Sequence, residues 1–270
     1  MPLVSAFLVP GSPLPYLRAE NPPWAGIASG YRAAARALSA SRPDTILLYS
    51  TQWLAVLDEL WQTRPSLTDT HIDENWYEYG DLDYDIRIDT ELANACVAGT
   101  REIGITSKAV DYDRFPIDTG TIVANGFLNP GSRLPLTLAS NNLYHGFEDT
   151  IRLAEMAIKK ADNLNRRVAM VGVGGLSGSI FRQEIDIRND GIASAKDDTW
   201  NRRMLGFIER GAGPEIISEC EAYAKEARVD MRFKHFAWVF GALGRRVSGA
   251  RIHAYGATYG AGAAVIEFKM

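Results

Sequence analysis

Arg167-Val168-Ala169-Met170-Val171-Gly172-Val173 runs without a break into Gly174-Gly175-Leu176-Ser177-Gly178. A short apolar run closed by glycines reads as a strand buried on both faces, the pattern of a parallel sheet covered by helices. Ligands in such sheets bind beyond the carboxyl ends of the strands, where this Gly-rich turn falls. Two other runs share the design. Residues 3–9 are apolar and lead into Pro10-Gly11-Ser12-Pro13, and residues 45–50 lead into Thr51-Gln52-Trp53.

Outward from these strands, helical and strand patterns alternate. Trp24, Ile27, Ala28, Tyr31, Ala34, Ala35 and Leu38 fall at helical spacing over residues 24–39. Asp89-Thr90 opens a helix over 91–103 with Gly104 as its stop. Further helices are expected at 146–163, 199–209, 214–227 and 231–243, and a short one follows Asp118-Thr119-Gly120. Strands are expected at 84–88, 105–110, 134–138, 250–255 and 263–268, and the polar stretch 63–83 reads as a long loop. This alternation gives an α/β fold, a three-layer α/β/α sandwich. At 270 residues, with no linker or repeat, it is read as a single domain over 1–270.

The chain is 46% hydrophobic and 23% charged with a net charge of −4, which offers no electrostatic attraction to nucleic acid or an anionic membrane. No signal peptide or membrane-length apolar run is visible, so a cytoplasmic location is expected. The two cysteines, Cys96 and Cys220, read as buried free thiols in helices. No pair among His71, His145, His235 and His253 lies at a local metal-binding spacing. His71 reads as solvated, His145 as a helix-capping residue and His253 as a structural histidine in a strand. His235 stands near the presumed site. The 172–178 turn departs from a dinucleotide loop because its third glycine falls one place late, and from a nucleophile elbow because the glycine closing Gly-Leu-Ser-Gly-Ser is absent.

Taken in order, five segments resemble one family. They are Val9-Pro10-Gly11-Ser12-Pro13, Ser50-Thr51-Gln52-Trp53, Asp118-Thr119-Gly120, Gly174-Gly175-Leu176-Ser177, and Trp238 through Gly241-Ala242-Leu243. The chain resembles the class III (LigB-type) extradiol ring-cleavage dioxygenases over nearly its whole length. That resemblance implies a LigB-like sandwich with a central mixed sheet. It also implies a two-histidine, one-carboxylate site for Fe(II) in active members.

At the matching positions this chain carries Gly11 and Gln52 for the two histidines, Lys234 for the glutamate with His235 adjacent in register, and Gly178 for an acid/base histidine. Glycine supplies no donor, a glutamine oxygen is a weak neutral ligand, and a lysine ammonium repels a dication. The resemblance is therefore to the iron-free α subunits of the 2-aminophenol 1,6-dioxygenases, in which two subunit types share the fold. It implies no cofactor in this chain and Fe(II) in a homologous catalytic β partner. It implies an α2β2 heterotetramer that opens 2-aminophenol with O2 to 2-aminomuconate 6-semialdehyde.

Two other functions are weighed beside this one. In the first, a binding subunit senses an aromatic in a vestigial pocket lined by Trp53, His235 and Trp238, with Tyr49 and Phe181 nearby. In the second, a metal-free enzyme uses Lys234 and His235. The 63–83 loop, with Trp76, Tyr77 and Tyr79, is a candidate subunit interface.

Overall fold

In the computed structural model, which describes residues 2–178 and 184–270, the chain opens with β1 (Leu3–Val9), a one-turn helix α1 (Leu14–Leu17) and the long helix α2 (Pro22–Ser41). Strands β2 (Thr45–Ala55), β3 (Glu59–Gln62), β4 (Ser66–His71) and β5 (Leu82–Arg87) follow, then α3 (Thr90–Glu102), β6 (Ser107–Val110), α4 (Thr119–Leu128), β7 (Leu136–Asn142) and α5 (Phe147–Asn163). The chain continues through β8 (Val168–Val173), α6 (Ala195–Arg210), α7 (Gly213–Glu226) and α8 (Lys234–Ala242) to β9 (Ala250–Thr258) and β10 (Ala261–Phe268).

Eight strands form one mixed sheet in the order β6-β3-β7-β2-β8-β1-β10-β9. The three apolar runs lie at its centre: β8 pairs in parallel with β2 on one side and β1 on the other. Side chains alternate across a strand, so each central strand feeds two cores. Leu8, Leu47, Tyr49 and Met170 join the core under α5 and α8, while Phe7, Val9, Leu48 and Val171 join the core under α2 and α4. Both faces being covered is why these runs show no polar alternation. The α/β/α sandwich with a mixed sheet follows the sequence reading. No described helix is long and apolar enough to cross a membrane.

Helix ends follow their sequence signals. Asp89 accepts from the Leu92 amide at the start of α3, and Asp118 accepts from the Thr121 amide at the start of α4. Gly104, after α3, takes φ +82°.

Two expectations are corrected and one strand, β3, is added. Residues 63–83 are not one loop. β4 pairs antiparallel with β5 from Ser66↔Arg87 to His71↔Leu82, and a 3-10 turn spans Tyr77–Tyr79. Hydrophobic period could not reveal β4, because Leu67 is its one buried residue and Thr68–Asp85 and Thr70–Asp83 hydrogen bonds tie the ribbon (3.1 and 2.6 Å). β3 went unread because its outer residues, Glu59 and Gln62, are polar yet fully buried. The last helix does not begin at 231. Met231, Arg232 and Phe233 have φ of 42°, 56° and 67°, so α8 starts only at Lys234. Three consecutive left-handed side-chain-bearing residues are costly and have no sequence signature.

Candidate functional site

A cavity of about 1040 Å³ opens at the carboxyl ends of β1, β2 and β8. Gly11, Gln52, Trp53 and Gly178 line it; Lys234, His235 and Trp238 do not. Phe181 lies outside the described residues. Trp53 meets Phe115 edge to face on the wall (ring centres 6.2 Å apart). Sequence reasoning did not single out Asp230 and Met231, which the left-handed turn before α8 brings to this wall.

The β2 end bulges in its pairing with β7 between Tyr49 and Leu54, and Gln52 projects outward from it while Thr51 and Trp53 are buried. The Gln52 amide is engaged at both ends. Its Oε1 accepts from the Gly120 amide (2.7 Å), and its Nε2 donates to the Gly11 carbonyl (3.3 Å). Ser50 Oγ accepts from the Gln52 amide (3.2 Å) and donates to Asp118 Oδ1 (2.5 Å). Gly11 has no room to spare: an added Cβ would stand 2.8 Å from Gln52 Nε2 and 3.1 Å from Gly120 Cα.

His71 and Asp230, which also line the cavity, are paired within the protein. His71, read as solvated, has Nε2 2.9 Å from Thr119 Oγ1, and that hydroxyl donates to Asp73. Asp230 accepts from Thr51 Oγ1 (2.6 Å) and the Gly175 amide (3.0 Å); burial raises its pKa against those two bonds. Gly178, which brings no side chain, donates its amide to the carbonyls of Ala227 and Arg228.

Iron does not fit this donor set. A ferrous ion needs imidazole or carboxylate groups converging with free lone pairs. Gly11 and Gln52 bring a carbonyl and an amide already bonded to each other. Among the described residues no three His, Cys, Asp or Glu side chains group to hold a metal.

Lys234 lies elsewhere. It is 5% exposed, and its ammonium donates to Asn141 Oδ1 (3.0 Å) and the Asn142 carbonyl (2.8 Å). Asn141 Oδ1 also accepts from Tyr49 (2.8 Å), and Asn141 Nδ2 donates to the Thr51 carbonyl (2.9 Å). Burial lowers the Lys234 pKa, and the nearby Glu59 carboxylate opposes that shift. Glu59 is itself fully buried; burial raises its pKa against bonds to His145 Nδ1 (3.1 Å) and Ser140 Oγ (2.9 Å). His145 therefore serves Glu59 rather than capping α5, whose N-cap residue Gly146 donates its amide to Asp149 (3.2 Å).

His235 is fully buried, and neither ring nitrogen has a hydrogen-bond partner. Burial pushes its pKa down to about 3, so the ring is neutral at ordinary pH. It stands edge-on to Phe233 (5.2 Å). Trp238 is core, stacked on Tyr49 (5.6 Å). With Lys234 and His235 both off the cavity wall, a substrate held there meets neither as nucleophile or base.

The remaining singled-out residues take structural places. His253 pairs with Glu267 (2.7 Å). Cys96 is buried and Cys220 half-buried, and burial pushes the Cys220 thiol up to about 12. Trp76 packs on Tyr259 (4.9 Å) and Tyr79 on Trp24 (6.2 Å), while Tyr77 is exposed.

The family described as the catalytic LigB subunit of aromatic ring-opening dioxygenase matches residues 10–266. A 2-aminophenol 1,6-dioxygenase alpha subunit from a Pseudomonas species is 48% identical over 271 residues, covering all of both chains. A 2-aminophenol 1,6-dioxygenase beta subunit, also from a Pseudomonas species, is 25% identical over 292 residues, covering 99% of this chain and 94% of its own. The crystal structure of an uncharacterized protein from Escherichia coli K12 superimposes with a TM-score of 0.70 at 13% identity, covering 98% of this chain and all of that one. That likeness concerns the fold alone.

Proposed function

The chain belongs to the LigB family of aromatic ring-opening dioxygenases, and from that premise we propose that it is the non-catalytic α-type subunit of a 2-aminophenol-cleaving dioxygenase. A homologous β-type subunit binds Fe(II) and performs the chemistry, and the two assemble as an α2β2 heterotetramer in the cytoplasm. This chain contributes one LigB-like domain, residues 1–270, which stabilises its partner by covering subunit surface.

The observation that carries this reading is the state of the cavity floor. Gly11 and Gln52 stand where the family resemblance places two histidines, and the Gln52 amide is bonded to Gly11 and Gly120. Gly178 stands where it places the acid/base histidine. Lys234 was the match for the metal-binding carboxylate, yet its ammonium is spent on Asn141 and Asn142. No step of ring opening can be routed through these groups. End-to-end similarity to relatives named as alpha and beta subunits supports a division of labour between two chains of one fold.

The test is reconstitution. The two subunits are purified apart and assayed for O2-dependent cleavage of 2-aminophenol, singly and mixed. This chain alone is expected to stay at background, and mixing is expected to raise the activity and thermal half-life of the β-type subunit. Turnover by this chain alone would overturn the proposal.

A second reading, that the cavity senses an aromatic ligand, draws on Trp53 and Phe115 on its wall. Calorimetry of the intact complex separates it: 2-aminophenol binding sites in excess of the iron count support a sensor, and equal numbers remove it.

A further inference from the structure

We propose that Gln52 is a strut that ties three chain segments into one closed junction, so the former metal floor is sealed by protein hydrogen bonds rather than merely stripped of ligands. The inference rests on the iron-free reading above and goes beyond it, because it predicts that restoring donors does not restore a site.

The junction can be traced bond by bond. From the Gly11 carbonyl in the turn after β1, the Gln52 side chain crosses to the Gly120 amide in the first turn of α4. The first amides of a helix have no partner within the helix. Asp118 meets the Thr121 amide, and Gln52 Oε1 meets the Gly120 amide from a different strand. Asp118 also accepts from Thr121 Oγ1 (2.7 Å) and from Ser50 Oγ, which in turn accepts from the Gln52 backbone amide. The path therefore closes on Gln52. Thr119 extends it to the rim of the cavity through His71 and Asp73.

Two glycines fit this tightness. A Cβ on Gly120 would stand 2.8 Å from Ser50 Oγ and 3.2 Å from Gln52 Oε1. One on Gly11 would meet the end of the Gln52 side chain, which could swing aside, but also the Gly120 Cα at 3.1 Å, which could not without moving α4. A histidine at 11 therefore presses on backbone. A glutamate at 234 grows from a position walled off by Asn141 and Asn142.

Gln52 is exposed to the cavity, so its effect is local rather than global. The readout is accordingly amide exchange at Gly120 in the full-length chain, measured for Gln52→Ala and Gln52→Glu. Glutamate keeps an oxygen for the Gly120 amide and alanine does not. Gln52→Ala is expected to speed Gly120 exchange about tenfold, the size of one net hydrogen bond, with little change in melting temperature. Gln52→Glu is expected to retain the protection. Equal Gly120 exchange in the native and Gln52→Ala chains would overturn the strut, as would loss of protection in both variants together.

A second arm titrates Co(II) into the Gly11→His/Gln52→His/Lys234→Glu chain. Absence of ligand-field bands is expected; stoichiometric uptake would show the junction to be open. Both results differ from iron in the unaltered chain, which would sink the functional reading instead.

Discussion

Replacing Gly172 by alanine is expected to destabilise the chain by about 3 kcal/mol or more, lowering its melting temperature by roughly 6–12 °C. The cause is contact between backbones. A Cβ at 172 would lie 2.2 Å from the His235 carbonyl oxygen, 3.0 Å from its carbonyl carbon and 3.2 Å from Val239 Cγ2. Neither side can yield cheaply. Gly172 sits in β8 between Leu8 of β1 and Tyr49 of β2, deep in the sheet. His235 lies in the first turn of the all-buried helix α8. Gly174 repeats the arrangement, since its Cβ would stand 2.6 Å from His235 Nδ1. Gly172 and Gly174 thus let α8 lie against the end of β8, while Gly175 and Gly178 line the cavity. Thermal or urea unfolding of Gly172→Ala checks this. A shift under about 2 °C would mean that α8 can retreat from the sheet at little cost.

Lys234→Met is expected to cost about 2–4 kcal/mol, seen as a fall in melting temperature of roughly 4–16 °C. Methionine fills much of the lysine volume, so the loss is polar rather than a cavity. The Asn142 carbonyl loses the ammonium and keeps the His145 amide (3.2 Å), while Asn141 Oδ1 keeps the Tyr49 hydroxyl. Glu59, fully buried, loses the cation that lowers its pKa from a distance. Removing one member of a buried charged group is worse than removing the group, because the other charge stays desolvated. The pairing is testable in a double-mutant cycle. Glu59→Gln should recover part of the Lys234→Met loss, because the stranded charge is then gone. An unchanged melting temperature in the single variant would place the ammonium in solvent.

Much of this architecture was legible because its central strands are uniformly apolar. β1, β2 and β8 needed only their runs and terminal turns, and the helices around them showed the usual period and caps. What stayed hidden has polar residues in buried or paired places. Glu59 and Gln62 disguise β3 as surface, and Thr–Asp pairs hold β4 to β5 where no apolar stripe exists.

The cavity was legible in part for the same reason. Gly11 and Gly178 follow β1 and β8, Gln52 stands in the last part of β2, and all three line the cavity. The resemblance puts Lys234 at the position of the glutamate, within a helix expected over 231–243. Three left-handed residues turn the chain before 234, so this segment meets the cavity through residues 228–231, before α8 begins. Spacing along a sequence is a guide only where backbone geometry is regular. The partners of Gln52 were invisible for another reason: Gly11 and Gly120 contribute backbone atoms, which no residue type advertises.

The most direct measurement is metal analysis of the full-length chain, purified from its β-type partner and equilibrated with Fe(II) under anaerobic conditions, then freed of loose ions. The account predicts no stoichiometric iron retained by this chain, with the partner holding all of it. One tightly held iron per copy of this chain would contradict it.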